Sequence, residues 1–297
     1  ELPTGSAIKY MENPLVRSAI ALSISSFVAI RAFRRKSLDL SGALAGFLVM
    51  TIHFAAGYRY GAMLLVFFFT SSMLTKVGEE KKRRADADYK EGGQRNWVQV
   101  LSNSGISSIL LVIVLKITGF QDHCLNSKHS TVITLLIGGV IGHFSCCNGD
   151  TWSSEIGVLS QQQPRLITTL KPVQTGTNGG VTITGLLAAA VAGVTIGLTF
   201  VLFGLFTAKC EHEVALRQLL AIPLCALAGL CGSVIDSLLG ATLQFSGYCS
   251  IRKKVVGKPG PTVKKVSGVH VLDNNAVNLL SILLTSILTS SVSLYMF

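Results

Sequence analysis

Eight largely apolar stretches, sixteen to thirty residues long, divide this chain: residues 15–30, 38–56, 60–75, 97–115, 131–147, 181–206, 216–245 and 276–297. A helix needs about 20 such residues to cross the hydrocarbon layer, where every backbone N–H and C=O must be paired within the segment. The fourth stretch is the weakest, because Ser102, Asn103, Ser104, Ser107 and Ser108 interrupt it. Composition agrees with this reading. Charged residues are 14% of the 297, where a soluble domain carries about 25%, and hydrophobic residues are 49%, with mean hydropathy +0.53. A disordered chain and a water-soluble domain are excluded. The expected fold is an all-α polytopic bundle of about eight transmembrane helices.

The formal charge of +11 finds its explanation in topology. Lys and Arg beside short loops are retained on the cytoplasmic face. With eight spans, nineteen of the 26 basic residues fall on one face, in segments around 31–36, 76–95, 165–171 and 252–265, and seven fall on the other. That asymmetry places both termini on the non-cytoplasmic side and leaves nothing for nucleic-acid binding to explain. Met11 reads as the natural start, with residues 1–10 an upstream extension and 11–297 one integral membrane domain. A first span so close to Met11 leaves no room for an Arg- and Ser-rich transit peptide, so plasma membrane or endomembrane is expected ahead of plastid. The seven cysteines are scattered and odd in number, which implies no disulfide framework. Cys146 and Cys147 read as small core residues. Glycines four apart (Gly42 and Gly46, Gly138 and Gly142, Gly193 and Gly197) read as seams where helices approach closely.

Ionisable groups at membrane depth are tolerated only where they face protein or water, so each marks a functional position. Asp150 ends the fifth span within Asn148-Gly149-Asp150-Thr151-Trp152-Ser153-Ser154-Glu155; Asp236 lies in the seventh; Asn274, Asn275 and Asn278 open the eighth; and Gly176-Thr177-Asn178-Gly179-Gly180 opens the sixth. All map to the cytoplasmic side. Their plainer reading is solvated loop acids and helix caps. Together they suit transfer of a phosphoryl or nucleotidyl group. Asp150 and Asp236 would hold Mg²⁺ while water and phosphate oxygens complete its octahedron, with Glu155 and Asn278 as further ligands or orienting groups. Lys76, Arg165 and Lys171 would neutralise phosphate charge, and the N–H groups of the Gly176 to Gly180 loop would meet an anion. Lys171, Thr177, Asn178, Gly179, Gly180, Asn274 and Asn278 are thus the expected contacts for a nucleoside triphosphate. No G-x-x-x-x-G-K-[ST] motif occurs, so this is not a P-loop enzyme. The six histidines form no ligand spacing. Asp150-Thr151 and Asp236-Ser237 form a faint internal repeat.

These residues also carry a family resemblance. Asp150, Thr151, Ser154, Glu155, Ile156 and Gly157, the Pro164 to Thr169 segment, Gly176-Thr177-x-Gly179-Gly180-Val181, Asp236 to Ala241 with Gln244, and Asn274-x-x-Val277-Asn278 together resemble the transmembrane protein 19 family of integral membrane proteins. That family includes plant phytyl phosphate kinase. The resemblance implies phosphoryl transfer from a nucleoside triphosphate to a membrane-borne isoprenoid (polyprenyl) phosphate. Two other functions fit a chain of this kind: a non-catalytic membrane regulator of metabolite-responsive growth signalling whose loops recruit partners, and a small-solute transporter. A transporter would need an ionisable cluster on the outer half as well, and the sequence has none comparable.

Overall fold

A computed structural model describes residues 13–85 and 93–297 of the chain; residues 1–10, read above as an upstream extension, lie outside them. The described residues form a helical bundle with two small sheets in its loops. In chain order the helices are α1 (Pro14–Arg34), α2 (Leu40–Ala56), α3 (Tyr58–Lys76), α4 (Glu79–Ala85), α5 (Trp97–Ser102), α6 (Gly105–Thr118), α7 (Thr131–Leu159), α8 (Ile183–Thr207), α9 (His212–Arg217), α10 (Ala221–Leu243) and α11 (Asn274–Met296). Strands β1 (Arg165–Leu166) and β2 (Gly180–Val181) pair antiparallel, and β3 (Ser246–Cys249), β4 (Lys254–Val256) and β5 (Val263–Ser267) form a second antiparallel sheet in the order β4-β3-β5.

Every apolar stretch of the sequence carries helix. Among the described residues, five helical segments are long and apolar enough to cross a membrane: 14–34, 131–159, 183–207, 212–243 and 274–296. Leu40–Ala56 and Gly105–Thr118 are shorter apolar helices. The polar interruption in the fourth stretch appears as a break between α5 and α6 at Asn103–Ser104, where Ser hydroxyls turn back onto backbone carbonyls, as Ser104 Oγ does onto Val100. Two boundaries differ from the sequence reading. The fifth span continues from Cys147 through Leu159 as one unbroken helix, so Asp150 and Glu155 sit on α7 itself. The seventh begins with the short α9 and a 3₁₀ turn before α10.

The core gathers around α7, which packs on α8, α10 and α11 and buries Ile137, Val140, Ile141 and Phe144 completely. Two of the three expected glycine seams are close helix–helix contacts, whereas Gly42 meets the Arg95 carbonyl of a loop and Gly46 only the Leu38 side chain. Gly138 and Gly142 lie against Ser293 and Thr289 of α11, and Gly193 and Gly197 against Cys225 and Ile222 of α10. Outward faces carry exposed large apolar residues such as Phe27, Leu44, Leu48, Ile109, Leu187 and Ile287. A surface of that composition belongs in lipid.

Loops segregate to two ends of the bundle. At one end, the basic end, Asp39 N–H donates to the Arg95 carbonyl (3.0 Å), Lys81 Nζ to the Leu159 carbonyl (2.9 Å), Lys254 Nζ to the Arg83 carbonyl (2.6 Å) and Asn178 N–H to Ser246 Oγ (3.0 Å). At the other end, Arg59 forms an ion pair with Asp122 (2.5 Å), both almost completely buried, and Arg17 donates to the Phe120 carbonyl. The Ser127 N–H there donates to the Phe297 carbonyl. That end also holds a Cys124–Cys210 disulfide joining residues 86 apart, which corrects the expectation of no disulfide. Both cysteines lie in connecting loops outside the apolar runs, where folding brings their Cα atoms to 5.9 Å. Cys146 and Cys147 are buried core thiols.

Candidate functional site

The site begins with how closely α7 and α10 approach. A Cβ on Gly149 would lie 2.5 Å from the Gly229 carbonyl oxygen, and one on Gly232 would lie 2.6 Å from Cys146 Sγ. With hydrogen in both places, the two helices touch backbone to backbone just inside the basic end. Asp150 follows Gly149 directly and Asp236 follows Gly232 by one helical turn, so their carboxyl groups come within hydrogen-bonding distance of each other. Ser281 Oγ of α11 donates to Asp236 Oδ2 at 3.1 Å. Two carboxylates this close repel unless a proton or a cation lies between them.

Two cavities meet at Asp150, and Asp236 lines the smaller of them. The larger, about 780 Å³, is walled near the basic end by Thr75, Arg95, Asn103, Asp150, Glu155, Lys258, Asn274 and Asn278, and deeper by apolar side chains of α1, α2 and α3. The smaller, about 230 Å³, is lined by Asp150, Asp236, Ser237, Thr177 to Thr182 and Asn274. Asp150, Asn178 and Asn274 line both.

The glycine loop packs directly on α10. Strands β1 and β2 close its base, the Ile167 N–H donates to the Gly179 carbonyl (2.9 Å), and Thr177 Oγ1 donates to the Gln174 carbonyl (2.7 Å). Asn178 Nδ2 donates to the Phe245 carbonyl at 3.2 Å. Gly179 has φ +76°, and a Cβ there would sit 2.5 Å from the Ser237 carbonyl oxygen and 2.7 Å from the Ala241 nitrogen. Only glycine satisfies both the backbone angle and the contact.

Most of the residues expected from the sequence come together: Asp150, Asp236, Thr177, Asn178, Gly179, Gly180 and Asn274 border the smaller cavity, and Glu155 and Asn278 the larger. Glu155 is engaged on the wall, where Thr75 Oγ1 donates to Oε1 (2.8 Å) and Lys82 Nζ pairs with Oε2 (2.5 Å). Asn278 Nδ2 faces Asn103 Oδ1 at 3.5 Å. Lys171 is not brought to the site. It is exposed on the turn after β1 and lines neither cavity, because its backbone carbonyl is tied to the Leu166 N–H and the turn projects from the basic end. Lys76 and Arg165 are also exposed and outside both cavities; Arg165 donates to the Leu170 carbonyl instead.

The cations that do reach the site, Arg95 and Lys258, were not singled out by sequence reasoning. Arg95 is pinned through its backbone to Ser37 and Asp39, and its Nη1 donates to Ser72 Oγ at 3.0 Å. Burial holds its guanidinium below the ordinary value, and nearby Glu155 opposes that shift. Nothing in local sequence distinguishes it from the other basic residues of its loop. Asn103 gave a weak signal, as a polar residue at the break in a span; such breaks line cavities in membrane proteins.

Among the described residues no group of three or more His, Cys, Asp or Glu is placed to hold a metal ion. A pair of carboxylates beside a phosphate-sized cavity is the donor set Mg²⁺ uses when substrate oxygens and water complete its shell, so Asp150 and Asp236 fit that ion.

Comparison with known proteins follows the same lines. Protein PGR of Arabidopsis thaliana is 70% identical over 285 residues, 96% of this chain and 99% of that protein. An uncharacterized membrane protein of Methanocaldococcus jannaschii is 32% identical over 239 residues, covering 78% and 86%. Protein VTE6, chloroplastic, of Arabidopsis thaliana is 26% identical over 233 residues, covering 78% and 64%. That chloroplastic relative removes support for favouring plasma membrane or endomembrane over plastid; residence in a membrane stands. No solved structure matches the chain significantly. The family described as integral membrane protein DUF92 matches residues 23–286, which takes in both aspartates, the glycine loop and the start of α11, and the chain belongs to that family.

Proposed function

We propose that this protein transfers the terminal phosphoryl group of a nucleoside triphosphate to an isoprenoid (polyprenyl) phosphate at the leaflet beside the basic end. The single observation that carries this reading is the carboxylate pair Asp150 and Asp236, standing where a small polar cavity floored by a glycine loop meets a large cavity with an apolar interior. The small cavity suits triphosphate oxygens, met by the loop from Thr177 to Gly180. The large one suits the lipid acceptor. An oxygen of the lipid phosphate attacks the terminal phosphorus, the bond to the bridging oxygen breaks, and lipid diphosphate and nucleoside diphosphate leave. Mg²⁺ bound at Asp150 and Asp236 would neutralise charge on the transferring group. The protein's work is positioning and electrostatics: Asn274 orients oxygens at the junction and Asn278 in the larger cavity, and Glu155 fixes Lys82 at the rim. Basic loops at one end and a disulfide at the other support an orientation with the site on the cytoplasmic or topologically equivalent side.

The test incubates purified protein in detergent with γ-labelled nucleoside triphosphates and a panel of isoprenyl monophosphates, with and without Mg²⁺. The expected product is a labelled lipid diphosphate that requires Mg²⁺ and disappears in Asp236→Asn. Undiminished transfer by a folded Asp236→Asn protein defeats the assignment, and absence of transfer with every pair defeats the reaction.

A further inference from the structure

The larger cavity changes character with depth. Its polar wall is at the basic end, and its interior is made by Val28 of α1, Val49 and Met50 of α2, and Leu64, Phe67 and Phe68 of α3. On α3 the lining runs from Thr75 to Leu64, eleven residues, which at the helical rise is about 16 Å. That is about the depth of one leaflet of the hydrocarbon layer. Taking about 30 Å³ for a methylene-sized group, the share of a water in the liquid, the 780 Å³ volume accommodates about 25 such groups. One chain of 15 to 20 carbons with a phosphate head fits; two acyl chains on a glycerol do not.

At the mouth stands Arg95. Both sides of its backbone are pinned, by Ser37 and Asp39, one guanidinium N–H is directed to Ser72, which fixes the fork, and the residue lines the cavity. A planar, pre-oriented guanidinium recognises phosphate through two parallel hydrogen bonds. Lys258 lines the same mouth.

We infer that Arg95 is the residue that anchors the phosphate of a single-chain lipid monophosphate in the larger cavity, and that Met50 and Leu64, the lining residues of α2 and α3 farthest from the basic end, set the longest tail admitted. This deepens the proposed function and rests on it for the reaction, but the binding itself needs neither nucleotide nor Mg²⁺. It is tested by native mass spectrometry and thermal shift on the full-length protein, without nucleotide. The probes are isoprenyl monophosphates of ten, fifteen and twenty carbons, the matching alcohols and a diacyl phosphatidic acid.

The fifteen- and twenty-carbon monophosphates are expected to bind at least tenfold more tightly than their alcohols and than phosphatidic acid. Arg95→Gln should erase the preference for phosphate over alcohol, and Arg95→Lys should restore part of it. Met50→Trp should shift the preferred tail to ten carbons while leaving affinity for that ligand within about twofold, which also shows that the variant is folded. Equal binding of phosphatidic acid, a phosphate preference that survives Arg95→Gln, or a length order unmoved by Met50→Trp overturns the inference. Binding as described without any phosphoryl transfer would overturn the kinase reading alone; transfer that ignores Arg95 and Met50 would overturn this inference alone.

Discussion

Replacing Gly149 by alanine tests how the two aspartates are brought together. The added Cβ would lie 2.5 Å from the Gly229 carbonyl oxygen, 2.8 Å from its Cα and 2.9 Å from its carbonyl carbon. Carbon atoms rest at about 3.5–4.0 Å, and all three obstructing atoms are backbone, so no side chain can rotate away. Helices α7 and α10 must part locally by about 1 Å. Overpacking of this kind costs about 1–3 kcal/mol. Because Asp150 is the next residue, the same displacement opens the carboxylate pair, and a misplacement of about 1 Å costs about 10²-fold in a positioned reaction. The assay compares detergent-solubilised wild type, Gly149→Ala and Gly105→Ala by thermal unfolding and by Mg²⁺-dependent transfer. Gly105 has open space where its Cβ would go, so its variant controls for the change of residue. Gly149→Ala should melt several degrees lower and lose about two orders of magnitude in rate, while Gly105→Ala should match wild type. Wild-type melting and rate in Gly149→Ala would refute the argument that backbone contact positions the aspartates.

Three further predictions concern the rest of the fold. Lys82→Met leaves Glu155 without its ionic partner on a largely buried wall, where breaking a pair costs up to about 3 kcal/mol; the double variant with Glu155→Gln should melt closer to wild type than either single. Arg59→Met strands the almost fully buried Asp122 and should destabilise by about 3–5 kcal/mol, read as a large drop in melting temperature. Labelling the denatured chain with a polyethylene-glycol maleimide should add five labels before reduction and seven after, because Cys124 and Cys210 are paired and five thiols are free.

What the sequence disclosed and what it hid divides along a physical line. Hydropathy is a local property, so helix appears over each apolar stretch, and the serine-rich fourth stretch breaks where its polar residues stand. The meeting of Asp150 with Asp236 was legible because the asymmetry of basic residues put both acids at the cytoplasmic ends of their spans, and acids so placed need a shared reason to be there. The extension of α7 to Leu159 was not, since Asp150, Thr151, Ser153 and Ser154 look like a loop when read without the protein that surrounds them. Lys171 was favoured over Arg95 for the same reason: both are basic residues in loops at the basic end, and which of them reaches a cavity is decided by contacts with distant segments. The disulfide had a usable signal that went unread. Cys124 and Cys210 are the two cysteines whose loops the span count places on one non-cytoplasmic face, and an oxidising compartment joins such pairs.

The account depends on Asp150 and Asp236 acting as one cation site, and Mn²⁺, a paramagnetic substitute for Mg²⁺, measures that directly. Titration of the purified protein followed by electron paramagnetic resonance should give one site, weakened at least tenfold by Asp150→Asn and by Asp236→Asn alike, with the double variant little worse than either single. Single variants that bind Mn²⁺ as wild type does, or losses that multiply in the double variant, would contradict a shared ion.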